Sequence, residues 1–212
     1  VLWIPMNQAM FSGADSVTSR AAAEPRFGLD AKVAVAPTVT LDLTAHTDFA
    51  QVEADRQVVN LTRFPLFFPE QRPFFIEGNQ LLQGTGPGYY YSRRIGATPQ
   101  GYATGEVADS ADFLESPRYA TILGAAKLTG RTSSGMSIGA LAAVTQREYA
   151  NLYDTSTDSF EQVAVEPSTA YLVGRVQQEF GASASTIGVT LTGLTRSFSD
   201  AEPLKQQMTS QA

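Results

Sequence analysis

Residues 119–149 read YATILGAAKLTGRTSSGMSIGALAAVTQREY, and their alternation of apolar and polar residues decides the fold. Ile122, Gly124, Ala126 and Leu128 share one side of an extended chain, with Lys127 on the other. Thr, Ser and Gly then cluster between Arg131 and Gly135, where a turn fits. Beyond it Met136, Ile138, Ala140, Ala142 and Val144 fall on one side, and Ser137, Thr145 and Arg147 on the other. A period of two is the signature of a strand, so the stretch predicts a β-hairpin with an apolar and a polar face.

Two further hairpins follow the same pattern. Leu29, Ala31, Val33 and Val35 alternate with Asp30, Lys32 and Ala34, and after a turn at Pro37 and Thr38, Val39, Leu41 and Leu43 alternate with Thr40, Asp42 and Thr44. From Ser168 to about Phe198 the chain turns near Gly181 to Ser185. Leu172 and Val176 lie opposite Val173, Arg175 and Gln177, and Ile187, Val189 and Leu191 opposite Thr186, Gly188, Thr190 and Thr192.

The arms of the later hairpins run to about ten residues or more, against about five or six for a soluble strand. A tilted strand that crosses a bilayer needs about that length. The turns are short, whereas the connections Ile95 to Pro117 and Arg147 to Pro167 are long and polar, the asymmetry of outer-membrane barrels. The reading is all-β: part of an antiparallel outer-membrane β-barrel built from long meandering hairpins. Its rival is a soluble sandwich or lipocalin-like barrel. In the rival the face of Ile187, Val189 and Leu191 is buried against a second sheet; in a membrane barrel it points outward.

Composition narrows the function classes. The chain has 212 residues, a net charge of -6 and no basic run, which argues against a nucleic-acid partner. It has no cysteine, so disulfides, thiolate metal sites and a cysteine nucleophile are excluded. Nowhere do about 18 apolar residues follow one another, which excludes a spanning helix but not spanning strands. VLWIPMNQAMF at the start is a poor signal peptide. Residues 1–27 read as a linker or irregular lead-in and 28–212 as a partial barrel domain, with both ends expected to be cut from a longer protein.

Between the first two hairpins lies DFAQVEADRQVVNLTRFPLFFPEQRPFFIEG, Asp48 to Gly78, which follows neither period. Proline lacks a ladder donor, so Pro69 and Pro73 keep it off central strands. Phe67, Phe68, Phe74 and Phe75 must still be buried, which predicts an irregular element packed against the wall, with Glu70, Arg72 and Glu77 in charge-assisted contacts.

This segment, together with GLDAKVAVAPTVTLDLTAHTDFAQVEAD, YYYSRRIG, the 119–149 region and STAYLVGRVQQEFGASASTIGVTLTGL, resembles successive blocks of one bacterial family. Its members carry an amino-terminal carbohydrate-binding module of the family-9 type, followed by an outer-membrane β-barrel domain whose function is not established. The resemblance covers about Gly28 to Arg196. It departs at Ala45-His46-Thr47-Asp48, where an Asn-Pro pair is expected before the Asp. It implies the bacterial outer membrane as location, outer-membrane lipid and a glycan as partners, and a parent chain that supplies the carbohydrate-binding module and the remaining strands. It supplies no catalytic residue.

The residues leave several chemistries to weigh. Glu70 and Glu77 could act as the acid pair of a glycoside hydrolase, or they could support Arg63, Arg72, Arg93 and Arg94 through salt bridges. Asp42, Asp48, Glu53 and Asp55 offer oxygens that calcium accepts, yet their spacing is not that of an EF-hand. His46 is the sole histidine and cannot join a cluster; no nucleophile elbow accompanies it. The turn at Gly84 to Gly88 lacks the Lys-Ser/Thr ending of a phosphate loop. Tyr89, Tyr90 and Tyr91 with Arg93 and Arg94 suit an aromatic girdle, a basic spot in the lumen or a sugar-stacking surface. No metal or cofactor is expected.

The leading expectation is therefore a non-enzymatic barrel segment forming a pore, a plugged channel or a membrane anchor associated with carbohydrate binding. Lys127, Arg147 and Arg175 are its lumen residues, and the Asp48 to Gly78 signature, with Asp48, Glu53, Asp55, Glu70, Arg72 and Glu77, is its inward or rim-packed constriction. The alternative is a carbohydrate-active hydrolase or a soluble glycan-binding β domain.

Overall fold

The computed structural model describes residues 28–46, 67–83, 88–103, 112–181, 184–198 and 202–210. Asp48, Glu53, Asp55, Arg63 and the 1–27 lead-in lie outside them. In chain order the strands are β1 (Leu29–Ala36), β2 (Val39–Ala45), β3 (Phe113–Glu115), β4 (Ile122–Arg131), β5 (Met136–Thr145), β6 (Glu148–Asp154), β7 (Ser159–Glu166), β8 (Ser168–Phe180) and β9 (Ser185–Ser197). The helices are α1 (Pro73–Ile76), α2 (Gln80–Gln83) and α3 (Glu202–Ser210), with a 3-10 turn at Ser92–Arg94.

Six strands form one antiparallel sheet in the order β1-β2-β4-β5-β8-β9, and the three hairpins predicted from alternation are its three pairs. The sheet is open, with β1 and β9 at its edges. Its short turns, at 37–38, 132–135 and 181–184, join β1 to β2, β4 to β5 and β8 to β9, so they share one rim. The long connections leave from the other.

The second of those connections corrects the sequence reading. Residues 147–167 are not a loop: β6 pairs with β7 on one side and with β3 on the other in a three-stranded antiparallel sheet. Asp154 caps the turn, accepting hydrogen bonds from the Ser156 amide (2.8 Å) and hydroxyl (2.6 Å). The alternation of Ala150 and Leu152, both buried, with Tyr149 and Asn151 was there to be read. Since β6 follows β5 and β7 precedes β8, this sheet is an outgrowth of the β5–β8 pair beyond the rim. The α3 helix buries Leu204 and Met208 one turn apart with Ala164 and Phe198 packed on them.

The main core lies between the sheet and the segments that follow the first hairpin. Phe75 and Leu82 from α1 and α2, with Tyr90 and Ile95, pack on Ile122, Ala125, Leu141, Ala143 and Val173 of β4, β5 and β8. Close approach is possible because of two glycines. A Cβ at Gly139 would sit 2.7 Å from the Leu81 carbonyl oxygen, and Gly78, at φ 65, backs onto Thr129. A bulge between Ile122 and Gly124 turns Ile122 inward to pair with Thr145, off the outward face it was expected to share with Gly124.

Candidate functional site

The register fixes what each face of the main sheet carries. On one face, directly opposed positions form four rows that cross all six strands. They are Ala36-Val39-Gly130-Ile138-Val176-Val189, Val33-Leu41-Leu128-Ala140-Gly174-Leu191, Ala31-Leu43-Ala126-Ala142-Leu172-Gly193 and Leu29-Ala45-Gly124-Val144-Ala170-Thr195. Thr195 is the one polar member, and no row holds a charge. The large members are not buried: Leu29, Leu172, Val189 and Leu191 keep 67%, 58%, 61% and 69% of their surface exposed, and Ile187, on the same face of β9, keeps 66%. The face that a sandwich would have covered is thus bare among the described residues.

The opposite face carries charge over β1, β2 and β4 and apolar core residues over β4, β5 and β8, and its middle strands are covered. Its central row is Lys32-Asp42-Lys127-Leu141-Val173-Thr192. Asp42 lies 3.6 Å from the Lys32 ammonium and 3.3 Å from that of Lys127. Lys127 is fully buried: its Nζ donates to the carbonyl of Phe74, to that of Glu77 at 2.8 Å, and sits 4.8 Å from the Phe74 ring centroid. Lys32 reaches over to the Glu77 carboxylate. A row of alternating charge therefore ties α1 to the wall.

Arg72 organises the rest of the covering segment. Its guanidinium makes a two-point contact with Glu70 at 2.7 Å each, donates to the carbonyls of Ile95 (2.6 Å) and Ser92 (2.8 Å), and lies 4.2 Å from the Phe75 ring centroid. Ser92 Oγ donates to Glu70 at 2.5 Å. Burial would raise the Glu70 carboxyl, but the bonds from Arg72 and Ser92 outweigh it and hold it below the ordinary range. The Lys32 bond likewise lowers Glu77, which is largely exposed. Of the four phenylalanines expected to be buried, Phe75 is, Phe74 is partly so, and Phe67 is 71% exposed with its ring edge against Tyr91.

The three residues assigned to the lumen separate. Lys127 is on the polar face but beneath the covering segment. Arg175, on the same face, donates to Thr190 Oγ1 (2.8 Å) and Gln177 Oε1 (2.7 Å). Arg147 lies between β5 and β6, at the rim, donating to the Ser197 carbonyl at 3.3 Å. His46 ends β2 at φ 48. Among the described residues no group of three acids or histidines is placed to hold a metal.

A cavity of about 480 Å³ opens where the tyrosine segment meets β8 and β9. The sequence offered Tyr89, Tyr90 and Arg94, which line it, as a girdle, lumen or sugar-stacking group, but not Gln100, Glu166, Tyr171 and Arg196, which complete it. Glu166 is buried, accepts a bond from the Gln100 amide at 2.8 Å, and has its carboxyl pushed up by burial. Burial also pushes up the Tyr90 phenol, whose oxygen, near Ser92, meets no hydrogen-bond partner in bonding geometry.

Comparison with known proteins adds the family. No curated protein and no solved structure gives a match. Residues 3–203 match the family model described as a domain of unknown function, DUF5916. A match over that span makes the chain a member of the DUF5916 family.

Proposed function

We propose that this chain is part of the wall of an outer-membrane β-barrel whose lumen side is occupied by its own residues 67–83 and 88–100, a plugged channel without catalysis of its own. One observation carries the reading: four uncharged rows across six strands, exposed on one face, backed by a charged face that the chain itself covers. In water such a face would be an apolar patch far beyond what a soluble monomer tolerates. In lipid it is the ordinary solvent-facing surface of a spanning sheet. The strand lengths agree, since the 13 residues of β8 and of β9 span roughly 40 Å along the strand at about 3.3 Å each. Tilted by about 40°, they cross a hydrocarbon core of about 30 Å. The short turns then mark the periplasmic rim, and the β3-β6-β7 sheet stands beyond the opposite one.

The geometry speaks against Glu70 and Glu77 as the acid pair of a glycosidase. A general acid needs a raised carboxyl, whereas Glu70 and Glu77 are both lowered and both engaged by cations. Closure of the barrel requires strands beyond β1 and β9, because an unpaired edge in lipid leaves backbone groups unsatisfied.

The test is gel mobility of the full-length parent protein, refolded in detergent, unboiled against boiled, with circular dichroism alongside. A heat-dependent shift with a β-rich spectrum is the expected result. Full solubility in plain buffer without a shift would replace the membrane wall with a soluble β domain.

A further inference from the structure

The cavity between the tyrosine segment and β8–β9 has a use beyond closing the barrel. Its volume of about 480 Å³ lies in the range of small-molecule sites, about 300–1,000 Å³. Tyr89 is 67% exposed at its mouth, so a ring face is free to stack. Donors and acceptors ring the rest: Arg94, Gln100, Glu166, Thr192 and Arg196. One of its polar groups is deeply buried: Glu166 is 7% exposed, and its carboxylate holds the Gln100 amide at 2.8 Å.

The charge selects the ligand class. Glu166 sets a carboxylate in the field of Arg196, which weakens the site for an anion. The two guanidiniums, Arg94 and Arg196, weaken it for a cation. The polar lining leaves a purely apolar ligand with unmet groups. What remains is a neutral molecule with a flat apolar face and hydroxyls around its edge. We infer that this cavity binds a saccharide unit, stacked on Tyr89 and hydrogen-bonded by Gln100, Glu166 and Arg196. The inference rests on the barrel reading only in placing the cavity on the lumen side; the cavity itself stands without it.

The experiment uses the full-length parent protein in detergent, titrated calorimetrically with cellobiose, maltose, lactose and chitobiose, and with inorganic phosphate as the anionic probe. The same titrations are run on Tyr89→Ala and on Arg196→Gln, both at exposed positions, with the heat-dependent gel shift as a check of folding. At least one disaccharide should bind, and each variant should lower its affinity tenfold or more while the shift persists. Three outcomes overturn the inference: no disaccharide binds, binding is unchanged in both variants and so lies in another part of the parent chain, or phosphate alone binds. Disaccharide binding that depends on Tyr89 in a protein with no gel shift would sink the membrane wall and leave the site standing.

Discussion

The two faces of the six-stranded sheet are made by the same strands, yet one is legible residue by residue and the other is not. The outward rows are uncharged wherever they are read, as the proposed contact with lipid would demand at every position. The inward face changes along its own rows. Lys32, Asp42 and Lys127 give way to Leu141 and Val173 and then to Thr192, according to which part of the chain lies on top. A uniform solvent writes a uniform pattern, whereas a covering segment writes a local one.

The largest effect should come from the covering segment. In Arg72→Ala the Glu70 carboxylate stays 8% exposed but loses its two-point partner, and the carbonyls of Ser92 and Ile95 lose a donor. Leaving one charge of a buried pair uncompensated costs about 3–5 kcal/mol. In the refolded parent protein this should appear as proteolytic cutting near residues 67–100 with the heat-dependent gel shift retained. Loss of the shift itself would mean that the wall depends on its cover, and the division between the faces would have to be redrawn.

Next comes the outward face. Leu172→Arg and Leu191→Arg each place a charge in an uncharged row, and a cation on the lipid face near the bilayer midplane costs about 2–4 kcal/mol. The paired control is Thr192→Arg, one residue along β9 and pointing the other way, which should cost little. Urea midpoints of the three variants in lipid vesicles measure the contrast. Equal midpoints for Leu191→Arg and Thr192→Arg would remove the difference between the faces.

This contrast also explains what the sequence could and could not disclose. Period two located the hairpins and put Lys127 and Arg175 on the polar side, because alternation is a property of neighbouring residues. Where Lys127 ends is set by carbonyls 50 and 53 residues away, and a carbonyl acceptor leaves no mark in a side-chain pattern. Phe67 illustrates the opposite error: four phenylalanines look alike in a sequence, but the Arg72 hub draws Phe75 beneath its guanidinium while Phe67 stays outside. The β6–β7 hairpin and α3 were within reach. Asp154 to Asp158 is a turn between two alternating runs, and Leu204 with Met208 follows Pro203 at the spacing of one helical turn.

The smallest effect separates two buried carboxylates on either side of the cover. Glu70 has its folded pKa lowered, so its contribution is present above the unfolded pKa and is lost as pH falls through the folded one. Glu166 is the reverse. Its folded pKa is raised by burial, so it weakens the fold at neutral pH and relaxes that penalty as pH falls through the raised value. Glu166→Gln keeps an acceptor for the Gln100 amide and removes the charge. The variant should match or exceed the parent at pH 7 by no more than about 1 kcal/mol, the scale of one net hydrogen bond, and that advantage should shrink on acidification. Glu70→Gln should instead be weaker than the parent at pH 7 and approach it in acid. Urea midpoints between pH 7 and pH 4 measure both; parallel slopes for the two variants would mean that the cover imposes one environment on its carboxylates, and not the two that the Arg72 ion pair and the burial of Glu166 create.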